Sequence, residues 1–256
     1  MEPDTYQLMR QVEDEHWWFV ARRNIIGALL DRLNLPAHAE ILEVGCGTGG
    51  NIALLKRFGA VACVELDNTA AQMARDRNLA PVLYGKLPDE LPEFSRQFDL
   101  VTLFDVIEHV KEDGASLRAL SSMLNSGGRI VITVPAFNFL WSQHDDENHH
   151  QRRYRRRDLV GLARQCGLSL DYISYFNFWL FPSVAGVRLI RKVIPYRESW
   201  QDMRKPNEAV NRVLQSVFSS ERYVVGRMSL PFGISLMAVM SVTGSASGLD
   251  SAIFRH

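Results

Sequence analysis

The fourteen residues 145–158, DDENHHQRRYRRRD, gather groups that could bind a metal ion, a nucleic acid or a small substrate. They comprise four acids, two histidines and five arginines. Zinc usually takes four nitrogen or sulfur ligands, and His144, His149 and His150 have neither a nearby cysteine nor a helical HxxxH spacing. Five arginines could neutralise phosphates. However, Lys+Arg and Asp+Glu both number 29, which disfavours a general polyanion binder. The third interpretation is the wall of an active site.

A second candidate group lies in LEVGCGTGGN (residues 42–51), a glycine-rich turn that lets the backbone approach a ligand closely. Its GxGxxG spacing is by itself only a weak dinucleotide signature. Glu43 distinguishes a dinucleotide from a cationic ligand, because a carboxylate here would repel the pyrophosphate of NAD but would attract an ammonium or sulfonium group. Glu65 follows Gly45 by 20 residues, where a carboxylate can accept hydrogen bonds from ribose hydroxyls. The turn glycines are Gly45, Gly47, Gly49 and Gly50.

A third group is FDVIEHV, in which Asp105, Glu108 and His109 have the i, i+3 and i+4 spacing of one helix face. An imidazole titrates near neutral pH, so His109 is a candidate general base. The alternative, which we favour for Glu108 and His109, is that they hydrogen-bond to neighbouring loops and hold the wall of the cleft.

Strands and helices alternate along the chain, which predicts a parallel sheet covered on both faces. Strands are predicted at 40–44, 60–66, 98–104 and 129–135, with a helix at 6–33 before them. In such a sheet ligands bind at the carboxyl ends of the strands. The three candidate groups follow those ends, so we expect them to line one cleft. Residues 138–154 then form a lid or binding loop.

The remaining composition narrows the setting. The three cysteines are widely spaced, which fits a reducing compartment, and the acidic N-terminus lacks the apolar core of a secretory signal. Two uncharged stretches, 172–187 and 228–249, are interrupted by proline or by small polar residues, which favours buried structure over a membrane span.

Four motifs resemble those of class I S-adenosylmethionine-dependent methyltransferases, in particular the branch of the ubiquinone-biosynthesis O-methyltransferases. They are ILEVGCGTGG, CVELD, FDLVTLFDVIEHV and LNSGGRIVITVP. The resemblance is strongest over residues 40–135. It implies a doubly wound, seven-stranded, mostly parallel α/β sheet of the Rossmann-like type, with an antiparallel last strand.

The resemblance also implies roles by position for the cofactor S-adenosylmethionine. The methionine end of the cofactor would lie at Glu43 and the glycine turn, and its ribose at Glu65. Its adenine would lie beside YGKLP, and its sulfur beside Asp105. Many relatives have an acid where Lys86 stands, which puts that adenine contact in doubt. Some ubiquinone-type relatives are thought to hold a divalent metal at an acid–Glu–His cluster; we assign no metal here. The predicted cofactor residues are Glu43, Gly45, Cys46, Gly47, Gly49, Glu65, Leu66, Lys86, Leu87 and Asp105.

Acceptor residues are predicted from the N-terminal helix and from the lid. In EHWWFVARR, Trp18 and its neighbours could form an acceptor pocket or only the packed face of a helix. In the lid, His149 or His150 is expected to face the acceptor, together with Tyr154. Arg152 and Arg153 would clamp an anionic group or salt-bridge the lid to the body. His109 and His150 are the candidate catalytic bases.

These observations predict a methyltransferase acting on an oxygen, less readily a nitrogen or carbon, of a small acceptor that is apolar or lipid-linked. The alternatives are an NAD-dependent oxidoreductase and a cofactor-binding protein without turnover. We expect a cytoplasmic protein that binds no nucleic acid, with peripheral contact at the inner membrane surface left open. The predicted units are a helical cap (1–37), a cofactor-binding core (38–176), a helical insertion on the acceptor side (177–227), a last core strand (228–242) and a loose tail (243–256).

Overall fold

A computed structural model describes residues 3–193 and 205–242. The predicted tail, 243–256, and part of the predicted insertion, 194–204, lie outside the described residues. The described chain folds into one mixed seven-stranded sheet with helices on both faces. Its strands are β1 (Ala39–Val44), β2 (Gly59–Glu65), β3 (Val82–Tyr84), β4 (Phe98–Phe104), β5 (Leu124–Pro135), β6 (Leu168–Phe176) and β7 (Ser235–Val242).

The strand order is β3-β2-β1-β4-β5-β7-β6, with β1 near the centre. Strands β1 to β5 pair in parallel, whereas β7 is antiparallel to both β5 and β6. The predicted sheet with an antiparallel last strand is therefore confirmed. The central strands are apolar because helices cover both of their faces, and Ile41, Leu42, Leu100 and Val101 are fully buried.

The helices that flank the sheet are α1 (Pro3–Val12), α2 (Trp17–Leu30), α3 (Ile52–Leu55), α4 (Asn68–Arg75), α5 (Asp113–Ser121), α6 (Gln143–Glu147), α7 (Arg156–Gln165), α8 (Phe181–Val193) and α9 (Glu208–Ser219). One predicted helix differs from the structure, because the single helix predicted over 6–33 is broken between Val12 and Trp17. In the insertion predicted as helical over 177–227, α9 ends at Ser219 and a short 3-10 helix (Ser220–Tyr223) follows it.

The break before α2 has two physical causes. His16 adopts an extended conformation and accepts a hydrogen bond from the backbone of Trp18, so it caps α2. Just before it, the Glu13 carboxylate accepts hydrogen bonds from Thr48 Oγ1 and from Arg77 Nη2, both at 2.6 Å. These bonds hold the end of α1 against the glycine turn. The hydrophobic periodicity runs across this break, which is why the sequence predicts one helix.

The predicted lid, residues 138–154, contains more regular structure than a loop. A short 3-10 helix (Asn138–Leu140) precedes α6, and α6 begins with a capping box made by Ser142 and Asp145. Among the described residues, no helix has the length and apolar character required to cross a bilayer. The uncharged stretches that raised this question contribute to β6, α8 and β7 instead.

Candidate active site

The turn after β1 brings its backbone against the turn after β4. Gly45 has φ +70°, which an L side chain rarely adopts, and a Cβ there would lie 2.6 Å from Val106 Cγ2. The amide of Gly47 donates to Glu65 Oε2 at 2.7 Å, which ties the turn to the end of β2. The buried side chain of Cys46 also lies in this turn. Three strand ends therefore converge at one place.

Glu43 is almost fully buried at the end of β1, with only 1% of its surface exposed. Its Oε1 accepts a hydrogen bond from Asn51 Nδ2 at 3.2 Å, whereas its Oε2 has no partner among the described residues. Burial raises the pKa of Glu43 to about 8, and the Asn51 hydrogen bond only partly opposes this. A buried carboxyl oxygen without a partner is costly unless it is protonated or a ligand pairs with it.

Arg22 of α2 enters the same cleft, and the sequence interpretation missed it. Its Nη2 lies 2.7 Å from Asp105 Oδ2 and 2.5 Å from Thr133 Oγ1. The guanidinium group also stands over the Trp18 ring, 5.3 Å from its centroid. Its Nε is buried and has no partner among the described residues. In EHWWFVARR only the aromatic residues were interpreted as candidate site residues. The sequence does not indicate whether an arginine in a helix points towards the interior.

These two unpaired groups fit the methionine end of S-adenosylmethionine. The free oxygen of Glu43 suits an ammonium group, and the free N–H of Arg22 suits a carboxylate. Asp105, at the end of β4, has φ +59°, an uncommon conformation for a non-glycine residue. Its carboxylate accepts a hydrogen bond from Thr133 Oγ1 at 3.0 Å in addition to the Arg22 ion pair. Asp105 is therefore held in place by its neighbours.

Glu65 has less free capacity than a site for two ribose hydroxyls requires. Its Oε1 accepts from the amides of Leu66 and Asp67, both at 2.9 Å, and its Oε2 accepts from Gly47. A carboxylate oxygen offers two lone pairs, so one acceptor position remains on Oε2. Burial raises the pKa of Glu65, and the three backbone hydrogen bonds oppose that effect.

The predicted cofactor residues Leu66, Lys86 and Leu87, of which the last two were expected beside adenine, divide between surface and interior. Leu66 is 48% exposed, so its side chain is available to an aromatic ring. The side chain of Lys86 is also exposed and pairs with Glu90 at 3.6 Å. Leu87 is buried in the apolar core on one face of the sheet, which leaves only its backbone for a ligand contact.

A cluster of ionisable side chains follows Asp105. The ligand atoms of Glu108, His109 and His150 lie within 4.8 Å of one another, and the two imidazole centroids are 4.6 Å apart. Glu108 is fully buried, and neither of its carboxyl oxygens has a hydrogen-bond partner among the described residues. Burial, and then Asp105, raises the pKa of Glu108 well above its ordinary range. In this environment the carboxyl group of Glu108 can be neutral, or it can bind a divalent cation together with the two histidines, since carboxylate and imidazole groups are ligands of such ions.

His109 and His150 differ in their surroundings. Burial, and then the neighbouring His150, lowers the pKa of His109 to about 4, so His109 is neutral and weakly basic at pH 7. His150 instead has a carboxylate partner, because its Nδ1 lies 2.8 Å from Asp145 Oδ1. Of the two predicted bases, the geometry favours His150. The wall-forming role predicted for Glu108 does not agree with its unpaired carboxyl oxygens.

Arg153 and Tyr154 do not face open space. Arg153 is 5% exposed and binds Asp145 through two nitrogens, with Nε–Oδ1 at 2.7 Å and Nη2–Oδ2 at 2.9 Å, while its Nη1 donates to Ala136 O. Tyr154 is 3% exposed and donates to Asp113 Oδ2 at 2.8 Å. Arg153 joins the lid to the residue that follows β5, and the Tyr154 side chain joins it to α5. This differs from the direct substrate contacts expected of Tyr154. The salt bridge of Arg153 lies within the lid, and its contact with the body is a hydrogen bond to a backbone carbonyl.

Comparison with known proteins identifies the family. A model of the methyltransferase domain family matches residues 18–173. The chain belongs to this family. Its cofactor is S-adenosylmethionine and it is a methyltransferase, so the alternative of an NAD-dependent oxidoreductase is wrong.

Two curated relatives are ubiquinone biosynthesis O-methyltransferases. The protein of Xanthomonas axonopodis pv. citri (strain 306) is 29% identical over 158 residues, which are 54% of this chain and 66% of the relative. That of Xanthomonas euvesicatoria pv. vesicatoria (strain 85-10) is 30% identical over 162 residues, 56% and 67% of the two chains. The match therefore spans about two thirds of the length of these two relatives.

Solved structures share the fold at lower identity. The complex of the Haloferax volcanii Trm112 methyltransferase activator and a putative methyltransferase gives a TM-score of 0.59 at 17% identity, covering 92% of this chain and 94% of that one. The Haemonchus contortus phosphoethanolamine N-methyltransferase 2 in complex with S-adenosyl-L-methionine gives 0.55 at 16% identity, covering 86% and 52%. These similarities support the architecture of the sheet.

Proposed function

We propose that this methyltransferase transfers a methyl group to a hydroxyl oxygen of a small, apolar acceptor, and that His150 removes the hydroxyl proton. The observation that carries the proposal is the pairing of His150 with the buried Asp145 at 2.8 Å. A hydroxyl group must lose its proton during transfer, and a positioned base contributes on the order of 10²–10⁴-fold to such a reaction. The names of the two curated relatives support an oxygen acceptor.

The aromatic residues beside the lid support an apolar acceptor. Phe137 stacks on Tyr175 with centroids 4.9 Å apart, and Phe139 and Phe181 lie beside Phe137 at 5.3 and 6.1 Å. Phe232 continues the group, 5.1 Å from Phe181. This aromatic group runs from the residues after β5 to an exposed surface at Phe139 and Phe232, which are 40% and 36% exposed. It would suit an acyl or prenyl tail.

In this mechanism the remaining site residues position the two reactants. S-adenosylmethionine supplies the methyl group on a sulfonium. Glu43 and Arg22 would hold its amino-acid end, Glu65 would bind one ribose hydroxyl, and Asp105 would lie beside the sulfur. Charge disperses in an in-line displacement, so orientation is the main protein contribution, at about 7–11 kcal/mol of the barrier.

Methyl transfer from labelled S-adenosylmethionine to matched acceptors tests the proposal. The panel is 4-hexylcatechol, 4-methylcatechol and hexylamine, which separate the tail from the acceptor atom. We expect 4-hexylcatechol to be methylated with a higher kcat/KM than 4-methylcatechol, and hexylamine not to be methylated. Preference for hexylamine would overturn the oxygen acceptor, and equal kcat/KM for the two catechols would overturn the apolar one.

A further inference from the structure

Asp145 is a buried carboxylate that three parts of the lid surround with donors. It is fully buried in α6. Besides His150 Nδ1, it accepts hydrogen bonds from two nitrogens of Arg153 and from the backbone amide of Ser142 at 2.8 Å. The His150 side chain is mostly buried, with 9% of its surface exposed. The sequence interpretation assigned no role to Asp145.

We propose that Asp145 is a positioning residue for methyl transfer, which holds His150 in the tautomer that carries its proton on Nδ1 and leaves the lone pair on Nε2. This inference rests on the proposed function of His150 as base. In a neutral imidazole one nitrogen donates and the other accepts, and the partner of one nitrogen fixes the role of the other. An ionised carboxylate can only accept, so it requires Nδ1–H.

The surroundings of Asp145 keep it ionised. Burial would raise the pKa of its carboxyl group, but the hydrogen bonds from His150 and Arg153 outweigh this and hold the pKa below its usual range. The bidentate pairing with Arg153 also fixes the plane of the carboxylate. Arg153 in turn donates to the backbone of Ala136, directly after β5. His150 is thereby connected to the end of β5 through Asp145 and Arg153.

The proposed step balances as follows. His150 Nε2 takes the proton of the acceptor hydroxyl while the acceptor oxygen bonds to the methyl carbon. The bond from that carbon to sulfur breaks, and its electron pair stays on sulfur to give S-adenosylhomocysteine. The imidazolium that forms lies beside the Asp145 carboxylate, which stabilises its positive charge, and it later releases the proton to water.

The substitution Asp145→Asn keeps the shape of the side chain and replaces one carboxyl oxygen with an amide N–H₂ group. Oδ1 of Asp145 faces Arg153 Nε and His150 Nδ1, and Oδ2 faces Arg153 Nη2 and the Ser142 amide. Of these four nitrogens, only His150 Nδ1 can change from donor to acceptor, by tautomerisation. The new amide N–H₂ group should therefore face His150 and move its proton to Nε2, the atom that has to accept. The matched control is Asp146→Asn on the same helix, since Asp146 is exposed and contacts Trp141 Nε1.

Two measurements test the inference. In ¹⁵N NMR of the uniformly labelled wild-type protein, with His150 assigned by its absence in His150→Ala, we expect the Nδ1–H tautomer; an Nε2–H tautomer would overturn the proposal, and this readout requires neither a stable variant nor an acceptor. With 4-hexylcatechol, we expect Asp145→Asn to lower kcat about 10²-fold or more, with KM and S-adenosylhomocysteine affinity within about twofold of wild type. Asp146→Asn should match the wild type.

The variants also distinguish the inference from the function on which it rests. If His150→Ala lowers kcat and Asp145→Asn does not, positioning by Asp145 is wrong and the base remains. If His150→Ala keeps the wild-type rate, the proposed base itself is wrong. A double variant Asp145→Asn/His150→Ala should be no slower than His150→Ala alone, because the first residue acts through the second.

Discussion

Glu43 should couple cofactor binding to proton release. Its pKa of about 8 means that it is mostly protonated at pH 7 in the free protein. An ammonium group at the unpaired Oε2 favours the ionised form, so binding should release a large fraction of one proton per site at pH 7. The release should fall towards zero as the pH rises past 8, because the carboxyl group is then ionised before the ligand binds.

Calorimetry of S-adenosylhomocysteine binding in two buffers with different ionisation enthalpies measures the number of protons released on binding. The variant Glu43→Gln is the matched control, because it keeps the shape of the side chain and cannot titrate. We expect its binding to be weaker and its heat to be the same in both buffers. Equal heats for the wild-type protein at pH 7 would contradict the role of Glu43.

The positions of Glu43, Glu65 and Asp105 could be predicted because each follows an apolar strand, and parallel strands end at the same edge of a sheet. Arg22 and Asp145 could not be predicted in the same way. Their roles depend on partners that are distant in the chain or on burial: Arg22 reaches Asp105 across 83 positions, and Asp145 resembles its exposed neighbour Asp146 in every local respect. Burial, which separates these two acids, is decided by tertiary packing.

At the scale of elements, the Arg153–Asp145 pair should be the main ion pair that stabilises the lid internally, and Arg153 also donates a hydrogen bond to Ala136 O outside it. We expect Arg153→Met to lower the free energy of unfolding by about 3–5 kcal/mol, because it leaves the buried Asp145 without its charged partner. Denaturant unfolding, followed by circular dichroism, measures the change.

Arg157→Met serves as the control for this prediction. The Arg157 side chain is 78% exposed and lies 3.5 Å from Asp158, so its loss should change the free energy of unfolding by no more than about 0.5 kcal/mol. If Arg153→Met were as mild as Arg157→Met, the buried pair would not be what stabilises the lid.

The strands and helices of the core were predictable from hydrophobic periodicity, whereas the lid was not. Strand β4 and the second half of β5 are mainly apolar, in LVTLF and IVITVP, which is typical of a strand buried on both faces. In the lid, α6 is five residues long and polar, QHDDE, so it has no apolar face to detect. Its order comes from the Ser142 capping box and from Arg153, and neither produces a periodic pattern.

At the scale of the whole molecule, α8 and the turn before it present an exposed apolar surface. Trp179, Val187, Leu189 and Ile190 are between 47% and 59% exposed, and α8 contacts the 3-10 helix that begins the lid. We propose that this surface touches a bilayer. The wild-type protein should float with vesicles of phosphatidylglycerol and phosphatidylcholine, and Ile190→Glu should reduce the bound fraction severalfold, because it places a charge in the apolar contact.

Leu83→Glu provides the control on the opposite side of the molecule. Leu83 is 39% exposed on β3, the strand at the other edge of the sheet from β6. It should leave vesicle binding unchanged. Equal loss of binding in both variants would indicate general destabilisation, and no loss in either would contradict the membrane contact at α8.

The single-turnover rate of His150→Ala with 4-hexylcatechol, measured beside its affinity for S-adenosylhomocysteine, tests the central claim most directly. His109→Ala is the comparison, because His109 lies in the same cluster but its pKa of about 4 makes it a weak base. We expect His150→Ala to lower the rate by about 10²-fold or more with nearly unchanged affinity, and His109→Ala to have a smaller effect on the rate. A His150→Ala variant that transfers the methyl group at the wild-type rate would contradict the account.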